Sequence, residues 1–125
     1  MAVHNTESAE MYLESILVLT QKSGAPRAID IAHHTGYSKP SISRAMGLLR
    51  KNGHILVDDN GIITLTESGK ETASKILERH RVLTELLKRL GVEDEVASED
   101  ACRIEHVISD VTFERLKDFL NQNQK

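Results

Sequence analysis

The chain has 125 residues, of which 39% are hydrophobic and 28% charged, and a formal net charge of −3. That length holds one or two small domains with a modest core and argues against a large catalytic architecture. No window reaches the apolar length of a membrane-spanning helix, and residues 1–10 are polar and acidic, unlike a targeting segment, so a cytoplasmic module is expected.

The first periodic stretch covers residues 6–21, with apolar positions at Tyr12, Leu13, Ile16, Leu17 and Leu19 and with Thr6 or Ser8 as cap. Met11, Glu14 and Val18 fall on its flank. Lys22-Ser23-Gly24-Ala25-Pro26 breaks the pattern, and residues 28–35 follow as a short helix carrying Ile29, Ile31 and Ala32 and stopped by Gly36. Ser38 then caps a helix with Pro40 in its first turn, running to about Asn52 before Gly53. Its inward face is Ile42, Ala45, Met46 and Leu49. The outward face offers Ser38, Lys39, Ser41, Ser43 and Arg44, with Arg27 at the start of the preceding helix as a phosphate contact. Two short helices about a glycine turn, the second with hydroxyls and an arginine near its start, form a helix-turn-helix whose second helix enters the major groove.

Ile55-Leu56-Val57 and Ile62-Ile63-Thr64-Leu65 flank Asp58-Asp59-Asn60-Gly61, a hairpin pattern in which Asn-Gly favours a tight turn, and a hairpin at this place is a wing. Thr66 caps a long helix over residues 67–90 that ends at Gly91; residues 94–109 and 112–121 give two more. These last three helices carry many large apolar residues, among them Leu83, Leu86, Leu87, Leu90, Val107, Phe113, Leu116, Phe119 and Leu120, which suits a dimer interface. The final residues, 121–125, read as a frayed tail.

Charge is uneven. Residues 26–54 hold five basic side chains, Arg27, Lys39, Arg44, Arg50 and Lys51, against the single acid Asp30, whereas from Glu71 onward acids outnumber bases twelve to nine. A basic segment in an acidic chain suits a directed contact with phosphates, although a solvated helix face gives similar counts.

The run Cys102-Arg103-Ile104-Glu105-His106 sets a thiol, a carboxylate and an imidazole three and four residues apart, so on a helix the three stand together. At roughly 100° per residue they centre about 120° from the apolar line Ala97, Ala101, Ile104 and Ile108, which places a metal site at the border of a packed face. The lone cysteine excludes an intramolecular disulfide; Cys102 is a small buried hydrophobe, a reactive thiol or a metal ligand. Further donors are Met11, Glu14 and His80, the last set in the apolar line Ile76, Leu83, Leu87. Singly, Met11 is more often core than ligand and His80 more often a satisfied core histidine; only their combination with the 102–106 run points to a metal.

Glu10-Met11-Tyr12-Leu13, Ser38-x-Pro40-Ser41-x-Ser43, Arg79-His80-Arg81, and Ala101-Cys102-Arg103-x-Glu105-His106-Val107 followed by Ser109-Asp110 together resemble the metal-dependent repressors of the diphtheria toxin repressor family, including its manganese-transport regulator branch. The resemblance covers essentially the whole chain. It implies that Met11, Cys102, Glu105 and His106 bind the activating metal as in the iron-responsive branch, where the backbone carbonyl at the cysteine position also contributes. His80 matches an ancillary-site ligand, but Thr84 and Ser98 stand where that site has a glutamate and a histidine, so a complete site of that kind is not expected. Glu14 matches a ligand of the manganese branch, which leaves a second site from Glu14, His80 and Glu105 as the alternative. The chain ends before the SH3-like third domain of many iron-branch members.

The expectation is thus a mostly α protein with a small β-hairpin: a winged helix-turn-helix over residues 1–70 and a helical metal-binding and dimerisation domain over residues 71–125. Its expected role is to repress transcription by binding double-stranded operator DNA as a homodimer when Fe(II), or second Mn(II), is bound, with Co(II), Ni(II) or Zn(II) as substitutes in vitro. DNA contacts are expected from Arg27, Ser38, Lys39, Pro40, Ser41, Ser43 and Arg44. No enzymatic activity, membrane contact or small-molecule substrate is expected. The rival readings are a metal-independent winged-helix regulator and a small Zn(II) hydrolase, the latter without an evident general base.

Overall fold

The structure, a computed structural model, describes residues 2–122, with side chains from Ser8 onward. Six helices and one hairpin follow in the order α1 (Ala2–Ser23), α2 (Ala28–Thr35), α3 (Lys39–Lys51), β1 (Ile55–Val57), β2 (Ile63–Leu65), α4 (Glu67–Arg89), α5 (Asp94–Ile104) and α6 (Asp110–Gln122). The chain divides into two compact units, one up to Ser74 and one from Lys75. Among the described residues no helix is long and apolar enough to cross a membrane.

In the first unit, α1 packs on α2, α3 and β2, and α3 packs on β1. Tyr12, Leu13, Ile16 and Leu17 of α1 are buried, as the periodicity requires, with Ile31, Ile42, Met46, Leu49, Ile55 and Ile63 around them. Each fully buried aliphatic side chain contributes about 1.5–3 kcal/mol. The helix begins earlier than expected, at Ala2, so Thr6 and Ser8 lie within it and neither is its cap. Helix α2 matches the reading residue for residue and ends on Gly36 at φ 79°, a left-handed cap whose N–H donates to the Ala32 carbonyl. Ser38 caps α3: its hydroxyl oxygen accepts from the Ser41 N–H at 3.3 Å.

The strands pair antiparallel with Leu56 opposite Thr64. The tight turn expected at Asn60-Gly61 is not of the two-residue primed kind, because only Gly61 has positive φ there and such a turn needs it at both central residues. Instead Gly61 N–H donates to the Asp58 carbonyl and Asp58 N–H to the Ile62 carbonyl, closing a three-residue loop. The Asp58 carboxylate organises it by accepting from the N–H groups of Asn60 and Ile62. The hairpin is tied at both ends of its ladder: at the loop end Ile63 N–H donates to the Pro26 carbonyl at 2.8 Å, and at the base Thr66 Oγ1 donates to the Gly53 carbonyl at 2.7 Å. Thr66 also caps α4, accepting from Gly69 N–H. A Cβ at Gly69 would stand 2.0 Å from the His54 carbonyl oxygen, so only glycine admits this approach.

In the second unit, Ile76, Leu83, Ala97, Ala101, Phe113 and Leu120 are buried, and so are two charged residues, Arg79 and Glu105. The apolar residues read as one dimer surface therefore split. Leu83, Phe113 and Leu120 serve the core of this unit, whereas Leu90, Val107 and Phe119 remain exposed. Helix α6 starts at Asp110, capped by Ser109, whose hydroxyl oxygen accepts from Thr112 N–H. Asn121 and Gln122 of the expected tail belong to this helix, while residues 123–125 lie outside the described residues.

Candidate metal centre

The 102–106 run does not continue as helix to residue 109. Helix α5 stops at Ile104, Glu105 is its C-cap, and Val107 N–H bonds three residues back to the Ile104 carbonyl, tightening the chain into a turn that carries His106. The consequence is burial. Glu105, expected at a helix border, is fully enclosed, while Cys102 one turn earlier stays exposed.

The trio is nevertheless brought together. The donor atoms of Cys102, Glu105 and His106 all lie within 4.8 Å of one another. Two donors on one ion, at about 2.0–2.3 Å each, stand at most about 4.6 Å apart, so small side-chain adjustment suffices. Glu105 uses its two oxygens differently. Oε1 is 2.8 Å from His80 Nδ1, whereas Oε2 faces His106 Nε2 at 3.4 Å. Oε2 is buried and accepts no hydrogen bond among the described residues. A buried carboxylate oxygen left so is costly, and a cation is the partner that satisfies it. The donor set of thiol, carboxylate and imidazole therefore fits a first-row divalent metal.

His80 is half-buried and sits between Glu105 and Ser98, whose Oγ is 3.5 Å from its Nε2. Thr84 Oγ1 is buried with no hydrogen-bond partner among the described residues. Met11 and Glu14 belong to the first unit, one turn apart on α1 and half-buried. There the Tyr37 hydroxyl donates to Met11 Sδ at 3.8 Å.

A residue that periodicity alone leaves without a role is Arg79. It is 6% exposed and its guanidinium carbon lies 5.4 Å over the Phe113 ring. Nη1 donates to the carbonyls of Glu105 at 3.0 Å and Ile108 at 2.9 Å. Nη2 donates to Asp110 Oδ1, which Lys75 also holds. The sequence did carry a signal for it, since Arg79 stands on the buried line of Ile76 and Leu83, where a cation requires a partner.

The residues expected to meet nucleic acid lie on the first unit. Ser38, Lys39, Pro40, Ser43 and Arg44 are exposed around the start of α3, Ser41 is half-buried, and Arg27 is exposed at the start of α2. Two of these serve structure as well: Ser38 as the cap already described, and Arg27 through its N–H to the Asp30 carboxylate at 2.9 Å. Arg44 Nη2 reaches Ser41 Oγ at 3.5 Å. Both line a cavity of about 270 Å³ between α1 and α3 with Tyr12. Burial and the neighbouring Tyr37 push the Tyr12 hydroxyl above its ordinary pKa, against the opposing pull of Arg44.

A family model described as iron dependent repressor, metal binding and dimerisation domain, matches residues 66–125. An uncharacterized HTH-type transcriptional regulator of Methanocaldococcus jannaschii is 33% identical over 119 residues, covering 94% of this chain and 95% of the relative. The diphtheria toxin repressor of Corynebacterium diphtheriae is 29% identical, over 88% of this chain and 49% of that protein. Among solved structures, that of the manganese regulator SloR superimposes with a TM-score of 0.80 at 31% identity, over 90% of this chain and 53% of that one. The chain thus spans about half the length of the last two.

Proposed function

The chain belongs to the diphtheria toxin repressor family of metal-dependent transcriptional regulators, and from that premise we propose that it is a repressor that binds operator DNA as a homodimer when its metal centre is filled. The observation that carries this reading is the buried Glu105 oxygen facing His106 beside Cys102, since a core histidine and a packing cysteine have no need of it. The same observation favours the metal-dependent reading over a metal-independent winged-helix regulator.

Cys102, Glu105 and His106 are the proposed ligands in the second unit, with His80 as a further donor on Glu105. Met11 and Glu14 are proposed as ligands on the sequence pattern. Bound metal supplies cationic charge and fixed coordination geometry. Linkage then requires only that the DNA-competent state bind the metal more tightly than the incompetent one, and no catalytic step is involved. Fe(II) is the proposed physiological ion and Mn(II) the second choice, because thiolate and thioether are soft donors and Mn(II) stands lowest in the divalent series. Co(II), Ni(II) and Zn(II) are the proposed substitutes in vitro.

DNA contact is assigned to Arg27, Lys39, Ser41, Ser43 and Arg44, with Ser38 and Pro40 fixing the helix start that presents them. The homodimer face is assigned to the second unit, where exposed Leu90 and Phe119 border an apolar cavity of about 470 Å³ also lined by Leu86 and Leu116. An anaerobic titration with Fe(II), Mn(II) and Zn(II), read by operator binding, tests the whole. Metal-dependent retention with a lower midpoint for Fe(II) than Mn(II) is expected, and equal DNA affinity with and without metal would refute the reading.

A further inference from the structure

We propose that Arg79 is a positioning residue for the metal centre, acting through the backbone of the turn that carries Glu105 and His106 rather than by touching an ion. The inference rests on the assignment of Cys102, Glu105 and His106 as ligands. Because α5 ends at Ile104, carbonyls at its C-terminal end have no intrahelical partner and must be satisfied from elsewhere. Arg79 Nη1 satisfies the carbonyl of the C-cap Glu105 at 3.0 Å and, in the turn beyond it, that of Ile108 at 2.9 Å. Those carbonyls bracket His106, so a single nitrogen ties down both ends of the turn on which two candidate ligands stand.

The neighbouring side chain on α4 completes the arrangement. His80 Nδ1 holds Glu105 Oε1 at 2.8 Å while Arg79 holds the Glu105 carbonyl, so consecutive residues fix the side chain and the main chain of one glutamate. This directs Oε2, the oxygen without a hydrogen-bond partner, toward His106. The guanidinium carbon lies 5.4 Å over the Phe113 ring and the second nitrogen is occupied by Asp110, which together fix where Nη1 points. A lysine in its place offers a single ammonium with no fixed fork.

A simple ion pair with Asp110 is the competing account of why Arg79 is buried. Asp110, however, has a side chain 67% exposed and already carries Lys75 at 2.8 Å. The fully buried bond of Arg79 is the one to the Glu105 carbonyl.

The two accounts separate in a comparison of Arg79→Lys with Asp110→Asn in the full chain, under reductant. Co(II) is the probe, with affinity by competition, the ligand-field and thiolate-to-metal charge-transfer bands, and the apoprotein melt as readouts. Arg79→Lys is expected to weaken Co(II) binding by on the order of 10–100-fold and to alter the bands, as removal of an outer partner does at metal sites generally. Asp110→Asn is expected to lower the apoprotein melting temperature while keeping the parental Co(II) affinity and spectrum. Parental binding and spectrum in Arg79→Lys, or equal weakening in Asp110→Asn, would overturn the proposal. If Arg79→Lys does not fold, Phe113→Leu, which removes the ring beneath the guanidinium, is read the same way: weakened Co(II) binding supports the role and unchanged binding ends it. No Co(II) binding by the parent protein would instead refute the ligand assignment on which the proposal stands.

Discussion

The two units place their polar groups in opposite locations. In the first, the large buried side chains are apolar, the small Ser15 is the buried polar residue, and Ser38 and Thr66 work at edges as caps, with Asp58 in the hairpin loop. In the second, Arg79 and Glu105 are buried together, while Leu90, Val107, Val111 and Phe119 face outward. The difference teaches where function is carried. On the proposed function, the unit that meets DNA would present its chemistry on a scaffold held by ordinary packing, whereas the unit that binds the metal would accept the cost of buried charge, which the cation would offset.

The largest expected effect bears directly on that contrast. Glu105→Gln keeps the volume of the buried side chain and removes its charge; His106→Ala removes the facing imidazole. Either is expected to abolish metal-dependent operator retention while leaving a folded chain by circular dichroism, and a normal metal response in a gel shift would erase the distinction between the units.

In the first unit the equivalent blow is steric. Gly69→Ala is expected to destabilise by about 1–3 kcal/mol, seen as a lower melting temperature, because the added methyl meets the His54 carbonyl. It should leave the second unit's metal affinity unchanged. Arg44→Ala should cost about 1–3 kcal/mol in operator affinity if Arg44 reads a base, with metal binding intact. An unchanged binding isotherm on the native operator would move the DNA face off α3.

Two smaller effects sharpen the picture. Met11→Asp with Cys102→Glu replaces sulfur by oxygen and is expected to shift the ratio of activation midpoints toward Mn(II), provided reductant protects the parental thiol. An unmoved ratio would show that sulfur does not select the metal. Asp110 is held below the ordinary carboxyl pKa, chiefly by its hydrogen bond from Lys75 and then by charge. An acid so depressed stabilises the folded state above its unfolded pKa, and the contribution disappears as pH falls through the lower folded value. The gap in melting temperature between the parent and Asp110→Asn should therefore be constant near neutrality and close below about pH 4; a gap that persists in stronger acid would contradict this.

Much of this was legible in the residues, and the exceptions have physical causes. Helix α2 was readable to the residue because glycine and proline punctuate it. The early start of α1 was not, since Thr6 and Ser8 offer cap chemistry that helix position overrides. The hairpin and a tight turn at Asn60-Gly61 were legible but the turn's geometry was not, because the Asp58 carboxylate captures two N–H groups and selects a three-residue loop. The trio at Cys102, Glu105 and His106 was visible as spacing. What spacing could not convey was the burial of Glu105, because a helical projection assumes that α5 continues, and it stops where Arg79 collects the carbonyls.

The anchoring of the hairpin at Pro26 and Gly53 has a consequence for how such a protein varies. The Pro26 anchor holds Ile63 at the loop end of the strands and the Gly53 anchor holds Thr66 at their base, while residues 58–60 at the tip are exposed. Changes at Asp59 and Asn60, whose side chains make neither anchor, therefore leave both anchors in place. The reach of the wing can drift from one operator to another while the scaffold beneath it stays the same.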